Sequence, residues 1–218
     1  MKFSCLIIFL LILALPVAYA DINIDSFSSN NYNYGSKVLI SGSIVRPSDV
    51  RARLELNLVC STGSSKILSL IINLKSNELL RFSQLVTIPN SVLGSCKLKS
   101  DLLDYAGNLL ETKEVYAFDV TNDVKGLFQS EGTGDYQLGD IFSLKGTFSR
   151  MDDTLVDGSV LIKFRQLENI VFIDSSEVLD GMLDYSKTLS LLPAGHYSVD
   201  VVVTDNFGNT HGFIDSTV

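Results

Sequence analysis

Between residues 51 and 60 the chain alternates without a break: Ala52, Leu54, Leu56, Leu58 and Cys60 fall on one side, Arg53, Glu55 and Asn57 on the other. A period of two is the signature of a strand with one face buried. Residues 96–102 repeat the pattern, with Cys96, Leu98 and Leu102 opposite Lys97, Lys99 and Asp101. Residues 37–44 and 140–148 do the same, placing Val38, Ile40 and Ile44 inward in one stretch and Phe142, Leu144 and Phe148 in the other. Beyond the first 20 residues no apolar period of 3.6 is sustained. The pattern predicts strands joined by turns rich in Gly, Asn, Asp and Ser.

The alternating stretches recur roughly a hundred residues apart, the span of one small domain. Gly35 aligns with Gly139 and Gly42 with Gly146, and Phe82-Ser83-Gln84 is set against Tyr185-Ser186-Lys187, carrying Val86 onto Leu189 and Ile88 onto Leu191. Residues 94–104 lie on 195–205 without a gap, so the inward positions Cys96, Leu98, Ser100 and Leu102 match Tyr197, Val199, Val201 and Val203. Asp104-Tyr105-Ala106-Gly107-Asn108 returns as Asp205-Asn206-Phe207-Gly208-Asn209, a turn before the last strand of each copy. The expected fold is all-β: two tandem sandwiches, residues 21–122 and 123–218, of about seven strands each, each long enough to bury its own core. Gly42 and Gly146, mid-strand, are expected where another backbone approaches closely. The link at 121–123 has no Pro or Ser run and favours a stiff rod. The final strand of the second copy is short, which would leave a sheet edge for a partner to complete.

Residues 1–20 carry Lys2, an apolar run at 6–15 and Ala18-Tyr19-Ala20, the pattern of a secretory signal peptide cleaved before Asp21. The product is expected outside the cell or on its surface, with no membrane span once the leader is removed. The sequence carries 17 basic and 25 acidic residues. Residues 21–122 hold 10 of each, whereas 123–218 hold 6 basic and 15 acidic, so the acidity belongs to the second copy. Such a surface repels phosphate and excludes nucleic acid as a partner. Cys60 and Cys96 both point inward, and if their strands are antiparallel neighbours the two sulfurs come within bridging reach. Free buried thiols are the alternative, which a thiol assay on denatured, unreduced protein separates. In the second copy Tyr197 takes the place of Cys96, and its hydroxyl is expected to bond the preceding turn Pro193-Ala194-Gly195.

Candidate chemistry is sparse. His196 and His211 lie in no metal-ligand spacing and are expected to be unrelated surface histidines. No nucleophile elbow and no phosphate-cradling glycine loop is written in the chain, so no enzyme, cofactor or catalytic residue is expected. Asp152, Asp153 and Asp157 before Gly158 form an acidic loop that is either solvated or a calcium site; its spacing does not fit an EF-hand.

Tyr136 with Gly139-Asp140, then Leu192-Pro193-Ala194-Gly195-His196-Tyr197, then Asp205 with Gly208-Asn209, together resemble the immunoglobulin-like and macroglobulin-like sandwich repeats of prokaryotic exported and surface proteins. The first copy keeps the outer motifs and shows Ile88-Pro89 through Gly94-Ser95-Cys96 in place of the middle one. The resemblance implies tandem immunoglobulin-like β-sandwich domains in a non-catalytic exported module, a rigid spacer or adhesion element meeting proteins or glycans. Two other roles fit: a subunit of an envelope layer or filament that assembles by edge-strand pairing, and accessory domains of a larger exported enzyme or macroglobulin-like protein.

Overall fold

The computed structural model describes residues 20–25, 29–131, 137, 139–190, 192 and 196–215. Among the described residues fifteen strands account for the regular structure and there is no helix, hence none long and apolar enough to cross a membrane. The first half holds β1 (Asp21–Ile24), β2 (Asn31–Asn33), β3 (Lys37–Val45), β4 (Val50–Cys60), β5 (Gly63–Leu74), β6 (Leu80–Thr87), β7 (Gly94–Asp104) and β8 (Leu109–Thr121). The second holds β9 (Val124–Glu131), β10 (Ile141–Arg150), β11 (Gly158–Gln166), β12 (Asn169–Val178), β13 (Met182–Thr188), β14 (Ser198–Asp205) and β15 (Thr210–Asp215).

Each half is two sheets: β1-β3-β6 with β2-β8-β7-β4-β5, then β13-β10-β9 with β12-β11-β14-β15. Every pairing is antiparallel except that of β2 with β8. The alternation read from the sequence decides which side of each strand is dry. Leu54, Leu56, Leu58, Leu98 and Leu102 are buried, whereas Arg53 and Lys97 face water. One apolar cluster runs from Ala20 to Val120 and a second from Val124 to Val203, so the two halves bury separate cores. The first is built mainly of leucine, isoleucine and valine, with Tyr32 edge-on to Phe118 at 5.4 Å, and is closed by a disulfide between Cys60 and Cys96, which stand directly opposite each other on β4 and β7. The second has no cysteine and fills its centre with rings: Phe142 meets Phe164 edge-on at 5.0 Å, and Phe164 meets Phe172 at 5.7 Å.

Both mid-strand glycines sit where a neighbour crowds in. A Cβ on Gly42 would collide with the Asn23 carbonyl of β1, and one on Gly146 would come within 2.8 Å of the Phe148 ring and 3.2 Å of the Leu127 carbonyl.

Three expectations need correction. The match of Phe82 with Tyr185 is displaced by two residues, because Phe82 faces Gly42 across the sheet whereas Tyr185 faces Leu144. A shift of two preserves the buried face, so the apolar pattern does not detect it. Tyr197 is half-buried at the rim of the second core, not in its centre, and residues 193–195, the expected partner of its hydroxyl, lie outside the described residues. The first half has eight strands where seven were expected, the addition being β2. The leader lies outside the described residues except for Ala20, which is buried in the first core.

Candidate functional site

Two features stand apart from the cores: a polar joint between the halves and an apolar sheet face on the second half.

The joint begins with the turn at 33–36. Ser36 N–H donates to the Asn33 carbonyl at 3.1 Å, its hydroxyl accepts the Asn33 N–H at 3.0 Å, and Gly35, at φ 78°, donates to the Ile88 carbonyl at 2.9 Å. Pairing of β2 with β8 sets Asn33 beside Thr121, at the mouth of the two-residue link Asn122-Asp123. From there the buried Asn33 amide donates to the Asp123 carbonyl at 2.6 Å and to Asn209 Oδ1 at 3.2 Å, and accepts the Met151 N–H at 2.6 Å. The buried Asn209 pairs with the Tyr34 backbone, its Nδ2 donating to the carbonyl at 2.9 Å and its Oδ1 accepting the N–H at 3.2 Å. Asp205 holds Asn209 in place, accepting from its N–H at 2.9 Å and its Nδ2 at 2.7 Å. The same carboxylate takes Arg150 Nε at 2.6 Å, and the Arg150 guanidinium lies 4.6 Å from the centre of the Phe207 ring. That ring occupies the space a side chain on Gly35 would need. A buried ion pair stabilises little by itself, but its hydrogen bonds are filled here and losing either member would strand a buried charge.

The acidic loop belongs to this joint. Asp152 accepts from the Ser36 hydroxyl across it and from Thr154 Oγ1 at 2.6 Å. Burial works to raise the Asp152 pKa, but the bonds from Ser36 and Thr154, aided by the Arg150 charge, outweigh it and hold the carboxyl below its ordinary value. Asp153 pairs with Lys125, and Asp157 accepts the Asp180 N–H at 2.8 Å. The three carboxylates are thus committed to separate donors. His211 is partly exposed, with its Nδ1 2.5 Å from Asp123 Oδ1 and its ring centre 4.5 Å from that of Phe213. His196 is exposed.

The outer face of the three-stranded sheet tells the halves apart. On the first, one row across the strands reads Asn23, Ser43, Arg81. The equivalent row on the second reads Leu127, Thr147, Met182, and Leu155 bridges to Ser149 beside it. Leu127 is 80% exposed, Met182 65% and Leu155 59%. With Gly181 they line a shallow groove. Its rim is charged: Lys145 pairs with Glu131 at 2.8 Å, and that bond, with Asp184 adding, raises the lysine pKa. Exposed aliphatic side chains clustered within a polar surround are a usual mark of a protein-binding surface.

No protein-family model matches the chain, and no curated protein is similar to it.

Sequence reasoning missed both features. Asp205 and Asn209 were read as turn-formers, although the repeated Asp-x-x-Gly-Asn pattern marked them for attention. The apolar row had a sequence signal that went unused: Leu127 and Met182 are apolar at positions where the period of two calls for polar ones.

Proposed function

We propose that the chain is a non-catalytic exported or cell-surface binding module, made of two immunoglobulin-like domains at 21–122 and 123–218 behind a leader at 1–20. The first domain and the joint act as a stiff mount, and the second presents the Leu127–Thr147–Met182 row to a protein partner. The observation that carries this reading is that row, apolar and exposed where the first half has Asn23, Ser43 and Arg81. Aliphatic side chains favour a protein surface over a glycan, which is met through hydrogen-bonding groups and aromatic platforms. The strand orders agree with the domain type, a three-stranded sheet against a larger one in both halves. The Cys60–Cys96 disulfide is compatible with an extracellular location. The non-catalytic reading draws support from Asp152, Asp205 and Arg150 being taken up by the joint.

Retention of the purified protein on the envelope fraction of its own cells tests the reading. Leu127→Lys with Met182→Lys should release the protein while leaving its melting temperature unchanged, both side chains being exposed. Equal retention of variant and parent would remove the apolar row from the account.

A further inference from the structure

The joint is heterologous: the turn at 33–36, at one end of a half, meets the 151–152 loop and the 205–209 turn at the opposite end of the next. A heterologous contact whose two surfaces both recur in the molecule can form again between molecules. Both surfaces recur. At the far end of the second half, Gln137 N–H donates to the Asp140 carboxylate at 2.7 Å, as Asn33 N–H does to the Ser36 hydroxyl at 3.0 Å. Asp140 N–H donates to the Gln137 carbonyl at 3.0 Å, and Gly139, at φ 97°, donates to the Leu189 carbonyl at 3.3 Å, repeating the bonds of Ser36 and Gly35. At the outer end of the first half, Asn108 donates to Asp104 through its N–H and its Nδ2, each at 2.8 Å, as Asn209 does to Asp205. In the second half this pair is covered by the first; in the first half Asn108 is exposed and Tyr105 beside it is 82% exposed, with the Arg51 guanidinium 5.4 Å from its ring centre.

The substitutions between the two sets complement one another. Arg46 stands four residues beyond Gly42, as Arg150 does beyond Gly146. Arg150 Nε reaches Asp205, whereas the buried Nε and Nη1 of Arg46 have no acceptor among the described residues. Where Ser36 offers a hydroxyl, Asp140 offers a carboxylate, matched to an end that carries Arg51; Asp49 in the same loop is turned to the Ser76 N–H at 2.6 Å. The loop at 46–49 is shorter than that at 151–157, and Gln137 is one methylene longer than Asn33. Ala106 takes the place of Phe207, and the ring is one position earlier, on Tyr105.

We propose that the end of the first half bearing Arg51, Asp104, Tyr105 and Asn108 receives the turn bearing Gln137, Gly139 and Asp140 of a second copy, so that chains join head to tail in the manner of the internal joint. The sheet edges and the apolar face take no part.

Sedimentation of the protein, purified after export with its own leader, tests this from micromolar to millimolar concentration. The mean mass rises with concentration, and Tyr105→Glu or Gln137→Ala weakens association by about tenfold or more without lowering the melting temperature, both side chains being exposed. Mixing the two variants restores pairing, because each retains the surface the other lacks. Leu127→Lys leaves association unchanged, which separates this contact from the apolar row. A single monomer mass over the whole range, association indifferent to both substitutions, or a mixture no better than either variant alone would each overturn the proposal.

Discussion

The two halves share a frame and differ in almost everything that fills and faces it. Val38, Ile40 and Ile44 stand where Phe142, Leu144 and Phe148 stand, on either side of a glycine that admits a neighbouring backbone. The first core is largely aliphatic and tied by a disulfide; the second is richer in rings and untied. One outward row is polar in the first half and carries Leu127 and Met182 in the second, although the first half exposes Leu39 opposite Leu85 elsewhere on the same face. Alternation and glycine spacing therefore specify the sandwich, while the means of filling it are interchangeable. What distinguishes one copy from the other lies in loops and outward positions, and there binding is to be sought.

The comparison breaks first in the cores. Phe164→Ala, which removes the ring touching both Phe142 and Phe172, should cost the second half about 3 to 5 kcal/mol and leave the first half's unfolding in place, as read by calorimetry. Loss of equal size in both halves would mean that the cores melt as one. Replacing Cys60 and Cys96 together by alanine should cost the first half about 3 kcal/mol, with the second half indifferent to the change and to reductant. Asn33→Ala strips three hydrogen bonds from the joint and should cost about 1 to 3 kcal/mol; relaxation measurements should then find the halves tumbling independently where the parent tumbles as one body. The smallest effect is expected from acid. Because the Asp152 pKa is depressed in the fold, its contribution is whole above about pH 4 and fades as pH falls through the lowered value. Coupling between the halves should weaken over that window, and Ser36→Ala should flatten the response; an unchanged acid profile would show that this contact does not bind the halves.

Much of the fold was legible because a period of two is a local signal: Leu54, Leu56 and Leu58 needed no knowledge of their partners to be placed inward. The facing of Cys60 and Cys96 followed from the same phase. Register was not legible, since Tyr185 keeps its buried face whether it meets Gly146 or Leu144. The joint was hidden for a different reason. Asn33, Tyr34 and Asn209 meet only after both halves have folded, and amides that read a distant backbone look, in sequence, like any turn residues. The apolar row was overlooked because Leu127 and Met182 belong to strands far apart in the chain, and only the β9-β10-β13 pairing makes them neighbours.

The disulfide also sets how the protein yields to a pull. The stretch between its cysteines, 36 positions apart in sequence, cannot lengthen when the first half is stretched open. At about 3.4 Å per residue, roughly 120 Å of slack is withheld. Drawn from its two ends, the chain would surrender a long step from the second half and a shorter one from the first, so the cysteine-bearing half is the less extensible of the two springs.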